Sequence, residues 1–198
     1  MKRLLVGTIV VLASGFWSLP STAIAGEKFV IKKLATKKVT ALPEGPLYWR
    51  IENFSGLERA KAASGTWALV AESRGKVWLF TLGPSGGSTA GGTKVGEVGP
   101  IKRIVAPEYI LRINEATGAP GSVTSQHSHP GSEAFYVLAG EQTIRSPQGV
   151  LRVKAGQPVP GNGADVPMQV SSTGSEDLHS LVMFVVDATK PFSTRVDF

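Results

Sequence analysis

The chain contains no cysteine. Neither a disulfide framework nor a lipid-modified N-terminal cysteine is available to it, so its stability must come from packing and, where one is bound, from a metal. That absence does not by itself assign a compartment, because exported and cytosolic proteins can both lack the residue. Histidine is nearly as scarce, with three in 198 residues and none in the first half. A duplicated metal site is thereby excluded, and no fixed-period repeat is present. Long apolar runs are lacking as well. The N-terminal stretch from Leu4 to Ala13 falls well short of the roughly 20 apolar residues that cross a bilayer. It lies behind Lys2 and Arg3, ahead of Pro20, and is followed by small residues at Ala23 and Ala25. This is the pattern of a cleaved export signal. Residues 1–25 are therefore set aside from the fold, and the expected location is periplasmic or secreted, with no stable membrane insertion after cleavage.

What is present points to a β-rich domain. The chain carries 23 glycines, 13 prolines and 42% hydrophobic residues, a turn-rich composition with enough apolar material for one core. The formal charge of +6 falls to +4 once Lys2 and Arg3 are removed. Much of the excess sits in "EKFVIKKLATKKV", which carries no recognised nucleic-acid motif and reads as a solvated basic arm. Residues 26–43 are expected to be a flexible lead-in. "LYWRIENF", Leu47 to Phe54, alternates and reads as a strand. "SGLERAKAASG" offers Ser55 and Glu58 as a capping box and Gly65 as a stop, predicting a helix of about two turns. "TWALVAES" and "KVWLFTL" read as strands joined through Arg74 and Gly75. "GPSGGSTAGGTKVGEVGP" has seven glycines and reads as a loop or linker. From Ile104 onward six short alternating runs, "YILRI", "SEAFYVLAG", "EQTIRSP", "GVLRVKAG", "PMQVSS" and "HSLVMFVV", predict an antiparallel sandwich or barrel. The layout is thus an extension over 44–103 and a barrel over 104–198, with the extension's strands expected to complete that barrel.

The chemistry concentrates in "HSHPGSE". On a strand, side chains two residues apart share a face, so His127 and His129 can grip one ion. Pro130, Gly131 and Ser132 turn the chain, and Glu133 opens the next strand where its carboxylate can return to the same ion. Two imidazoles and a carboxylate on one side of a metal leave the other positions open, which suits Fe(II), although Mn, Ni, Cu and Zn accept the same donors.

Five residues separate Gly121 from His127, three separate His129 from Glu133, and six separate Glu133 from Gly140. "GSVTSQHSHPGSEAFYVLAG" therefore resembles the first signature motif of the cupin family, and the resemblance extends over about residues 104–187. It implies an all-β cupin jelly-roll barrel with a divalent transition metal near one end of its interior, held by His127, His129 and Glu133. The family's second motif supplies a fourth ligand, a histidine. Here "GADVPMQVSSTG" stands in its place with Met168 at that position, and Gly163 lies two residues further from Pro167 than the family spacing. Three readings of Met168 stand open: a thioether ligand for copper, a wall beside a three-ligand site, or the mark of a barrel that has lost its metal. His179 can replace the missing ligand, shuttle protons, or sit at the exposed start of the last strand.

The resemblance implies a metal-dependent oxidoreductase of dioxygenase type acting on a small organic molecule, with Glu133 doubling as a base. The alternative is a cupin that holds a metal or small ligand without turnover, for example in copper handling. A homodimer formed through sheet edges is a further expectation, since "LYWRIENF" and "KVWLFTL" are aromatic enough to cover an edge.

Overall fold

The computed structural model describes residues 29–198, so the export signal expected over 1–25 lies outside the described residues. In chain order the elements are β1 (Val30–Val39), β2 (Leu47–Phe54), α1 (Leu57–Ala63), β3 (Ala68–Ser73), β4 (Lys76–Gly83), β5 (Gly92–Ile101), β6 (Tyr109–Gly118), β7 (His127–Ser128), β8 (Gly131–Ala139), β9 (Glu141–Ser146), β10 (Gly149–Lys154), β11 (Pro158–Pro160), β12 (Gln169–Ser172), β13 (Leu178–Asp187) and β14 (Thr194–Arg195). Every ladder between them is antiparallel.

One sheet runs β1-β6-β13-β8-β11 and faces a second that runs β10-β9-β12. A bridge from His127 to Met168 ties β7 to the chain entering β12, and β14 pairs with β7 beyond it. From β8 to β13 the chain passes repeatedly between these two faces. That winding is a jelly roll, and the described residues are all-β apart from one short helix. The barrel interior is filled by residues such as Phe135, Val137, Ile144, Val170, Val182 and Phe184.

The strands of the N-terminal extension do not complete the barrel, contrary to the expectation above. β2 to β5 form their own four-stranded sheet in the order β3-β4-β2-β5, and it packs on the outer face of the five-stranded sheet. Trp49, Ile51, Phe80 and Leu82 meet Leu111, Ile113, Leu181 and Met183 there. The five-stranded sheet is consequently covered on both faces. In β13 the alternation sends Leu181, Met183 and Val185 outward and Val182, Phe184 and Val186 inward, which is why that strand reads as one continuous apolar run.

Three local expectations also need correction. The lead-in contains β1, an edge strand paired with β6 through a bulge between Lys33 and Ala35. Its lysines disguised it, and lysines on an edge strand discourage further pairing. The glycine-rich segment contains β5, paired with β2; a Cβ on Gly92 would stand 2.7 Å from the Phe54 ring, so glycine there permits close packing rather than flexibility. The helix forms over the expected two turns, but Gly56 is its N-cap and no side chain caps it. Glu58 instead pairs with Lys61 at 2.9 Å.

Among the described residues every tryptophan lies in or beside the outer sheet, at positions 49, 67 and 78, so in a chain prepared without residues 1–25, and hence without Trp17, tryptophan emission follows that layer. The shared apolar interface should make the layers unfold together. Phe80→Ala should cost about 3–5 kcal/mol and shift the tryptophan and far-ultraviolet circular dichroism transitions equally. Two separate melts would contradict a common core.

Candidate metal centre and ligand cavity

The open end of the barrel holds a cavity of about 310 Å³. The two histidines and the glutamate of "HSHPGSE" all line it. β7 and the turn after it carry the histidines, while Glu133 sits on the inward face of β8 with Phe135 next along that face. A Cβ on Gly161 would lie 2.6 Å from both Glu133 Cγ and the Phe135 ring. Only a glycine lets the β11 backbone approach this closely, and its N–H donates to the Glu133 carbonyl at 2.9 Å.

Each imidazole is held by a backbone carbonyl. His127 Nδ1 lies 2.8 Å from Ser125 O and His129 Nδ1 lies 2.7 Å from Phe192 O. A carbonyl only accepts, so Nδ1 carries the proton in both rings and Nε2 keeps the lone pair. This is the tautomer in which metal-ligating histidines are normally fixed. The rings stand 5.0 Å apart and almost perpendicular, at 81°.

Glu133 is 2% exposed and its Oε1 has no hydrogen-bond partner. Burial in this apolar setting pushes its pKa up to about 8, against a small opposing effect from the Asn162 backbone. His129, 5% exposed, is pushed the other way. Burial lowers its pKa to about 4, the carbonyl of Phe192 opposes this, and electrostatic repulsion from the neighbouring His127 ring and the Arg112 guanidinium adds to the lowering. Near neutral pH the cavity therefore holds a protonated carboxyl beside a neutral imidazole.

The other two candidates lie elsewhere. Met168 is paired with His127 across the bridge, with its N–H donating to His127 O at 2.8 Å. Its side chain is 1% exposed within the apolar interior, its sulfur 3.9 Å from Asn162 Nδ2, and it does not line the cavity. His179 points away from the barrel interior. Its Nε2 lies 2.7 Å from Glu115 Oε1, a carboxylate that also accepts from Ser73 Oγ on β3. That cluster ties the middle sheet to the outer one.

Several cavity residues went unnoticed in the sequence. Arg112 on β6 lies over the Phe192 ring at 3.9 Å and donates from Nε to Asn114 Oδ1 at 2.9 Å. Phe184, Phe192 and His129 form an aromatic cluster with ring centroids 4.9–5.0 Å apart. Gln142 on β9 faces the same space. The C-terminal tail that brings Phe192 and Ser193 into the wall carries no motif. Arg112 and Gln142 could have been found only by treating both faces of β6 and the inner face of β9 as buried.

In donor type the residues fit a divalent transition metal: two imidazole lone pairs and an unpartnered buried carboxyl oxygen on one cavity. Among the described residues no three His, Asp or Glu side chains are gathered tightly enough to form a ready-made cage.

No family model and no curated protein matches the chain. Solved structures similar to it include a DMSP lyase from Ruegeria pomeroyi (21% identity over 43% of each chain, TM-score 0.38). A polyketide cyclase from Streptomyces resistomycificus is 19% identical over 44% of this chain and 61% of its own, with TM-score 0.37. A cupin-like protein from Thermotoga maritima is 18% identical over 43% and 64%, with TM-score 0.39. The matched segment is less than half of this chain and less than two thirds of each neighbour. Similarity at this level says nothing of what this chain binds. The strand order described above defines the fold as an antiparallel jelly roll.

The two shifted groups make opposite contributions to the pH dependence of stability. For Glu133 the folded pKa of about 8 lies above the ordinary 4.5, so its contribution is complete below pH 4.5 and is lost as pH rises through 8. For His129 the folded pKa of about 4 lies below the ordinary 6.5, so its contribution is complete above pH 6.5 and is lost as pH falls through 4. Between 4.5 and 6.5 the two slopes cancel. From pH 6.5 to 8 the metal-free protein should lose about 2 kcal/mol, at about 1.4 kcal/mol per unit. Urea titrations of chelator-treated protein should register this fall in the native chain and not in Glu133→Gln. Equal slopes in both would contradict the assignment.

Proposed function

We propose that this chain is an exported, metal-dependent jelly-roll protein that acts on a small organic molecule in the cavity, as an oxidoreductase of dioxygenase type. The observation that carries the reading is the preset pair of imidazoles beside a buried, unpartnered carboxyl on one largely apolar cavity. His127, His129 and Glu133 would hold the metal. Met168, packed away from the cavity, is left out of that set.

A divalent transition metal held there supplies Lewis acidity and, for Fe, Mn or Cu, a redox-active centre. The chain's own residues do the rest. The carbonyls of Ser125 and Phe192 lock the imidazoles in the ligating tautomer. Glu133 must release its proton to become a ligand, so metal uptake releases a proton and strengthens as pH rises toward 8. In the metal-free cavity a carboxyl that titrates near neutrality can also take a proton from a bound molecule and return it. Phe135, Phe184 and Phe192 exclude water and give an apolar body somewhere to pack.

A second reading rests on the absence of a tight three-residue cage among the described residues: a binding protein that holds a metal or a small ligand without turnover. Metal analysis and oxygen uptake separate the two.

The secreted chain should begin near Gly26 by intact mass and carry about one transition metal, and His127→Ala/His129→Ala should carry none. Oxygen consumption with a panel of catechols, diketones and flavonols should occur in the native chain and vanish in the double variant. Equal metal content in both proteins would end the metal assignment. Metal without oxygen uptake on any panel member would favour the binding protein.

A further inference from the structure

Arg112 has no role in holding a metal, yet it occupies the cavity wall. Among the described residues it forms no ion pair. Its Nε is committed to Asn114 and its plane rests on Phe192, which fixes the guanidinium while neither Nη has a protein partner among the described residues. Burial lowers its pKa from the ordinary value with no compensating carboxylate. A guanidinium remains charged in proteins and presents paired donors matched to a carboxylate. A half-buried, stacked arginine with no ion-pair partner among the described residues, set on a ligand cavity, is therefore suited to receive an anion.

A second observation is independent of Arg112. Gln142 is 0% exposed, and neither its Oε1 nor its Nε2 has a partner. It lines the same cavity. Across the β9–β12 ladder it is paired with Ser172, whose buried hydroxyl is also unpartnered. Ser180, on the inward face of β13, is a third. Buried polar groups seldom go unsatisfied, and a buried amide with both its donors and its acceptor unmet calls for a partner that can both give and accept a hydrogen bond. Ser172 and Ser180 lie behind the cavity wall, while Phe135, Val170, Val182, Phe184 and Phe192 supply its apolar lining.

We infer that the cavity takes a small carboxylic acid with an apolar, preferably aromatic, body: the carboxylate engages Arg112, the body packs on Phe135, Phe184 and Phe192, and a hydroxyl substituent pairs with Gln142. This deepens the proposed function by naming the ligand class, and it rests on that reading only in placing ligand and metal in one cavity.

The test is calorimetric titration of chelator-treated mature protein, so that it does not depend on metal. The probes are benzoate, phenylacetate, the three hydroxybenzoates, and the amide of each acid. Acids should bind about tenfold or more tightly than their amides, and at least one hydroxybenzoate should bind more tightly than benzoate. Arg112→Gln should abolish the preference for acid over amide, and Gln142→Leu should abolish the gain from the hydroxyl while leaving benzoate binding intact. Amides binding as well as acids in the native chain would overturn the inference without any variant, as would an unchanged acid preference in Arg112→Gln. The metal content of native protein, measured before chelation, keeps the two readings apart: acid binding by a chain that carries no metal sinks the metal assignment alone, and a metal-loaded chain indifferent to acids sinks this inference alone.

Discussion

The site depends on one costly placement, a carboxyl group in an apolar interior with an oxygen that nothing in the protein satisfies. Glu133 is enclosed by β8, by the close approach of Gly161, and by the aromatic ring of its neighbour Phe135. An ionised carboxylate would be strongly disfavoured there, and the group keeps its proton until a cation or a base makes its release worthwhile. Two histidines with Nδ1 committed to carbonyls, and Nε2 left as acceptors, stand on the same cavity.

The layered architecture explains how so small a barrel can afford it. The five-stranded sheet is buried on both faces, against the barrel interior on one side and the N-terminal sheet on the other. Most of the large apolar side chains, among them Trp49, Trp78 and Phe80, belong to the outer interface. Stability is thus concentrated away from the cavity, and the barrel interior can hold polar groups that a single-layer core of this size would have to exclude. The Ser73–Glu115–His179 cluster belongs to the same seam.

Much of the barrel was legible because its strands alternate and are punctuated by glycine and proline; β6, β8, β9, β10, β12 and β13 all fall on runs recognisable by eye, as do β2, β3 and β4 of the outer sheet. Period two puts Phe135 and Val137 on the same face of β8 as Glu133, and that face is the inner one. The same rule concealed Arg112. It alternates with Leu111 and Ile113, which suggests an exposed face, whereas β6 has no exposed face because a second sheet covers it. β1 and β5 were missed for compositional reasons, lysine in one and glycine in the other, although edge position and close packing account for both. Met168 held the place of a ligand by alignment, yet the side chain settles in the apolar interior, where an unbranched thioether fills space well. The C-terminal tail, which delivers Phe192 to both His129 and Arg112, could not have been placed from local pattern, since its register with β7 is a long-range pairing.

The central claim is that Glu133 stays protonated near neutral pH and gives up that proton to a cation held with His127 and His129. Infrared difference spectroscopy on chelator-treated protein at pH 7 addresses it directly. The expected result is a neutral carboxylic-acid band that is missing in Glu133→Gln and converts to a carboxylate band on addition of Fe(II) or Zn(II). A carboxylate signal already present without metal, or a neutral band unmoved by a saturating cation, would contradict it.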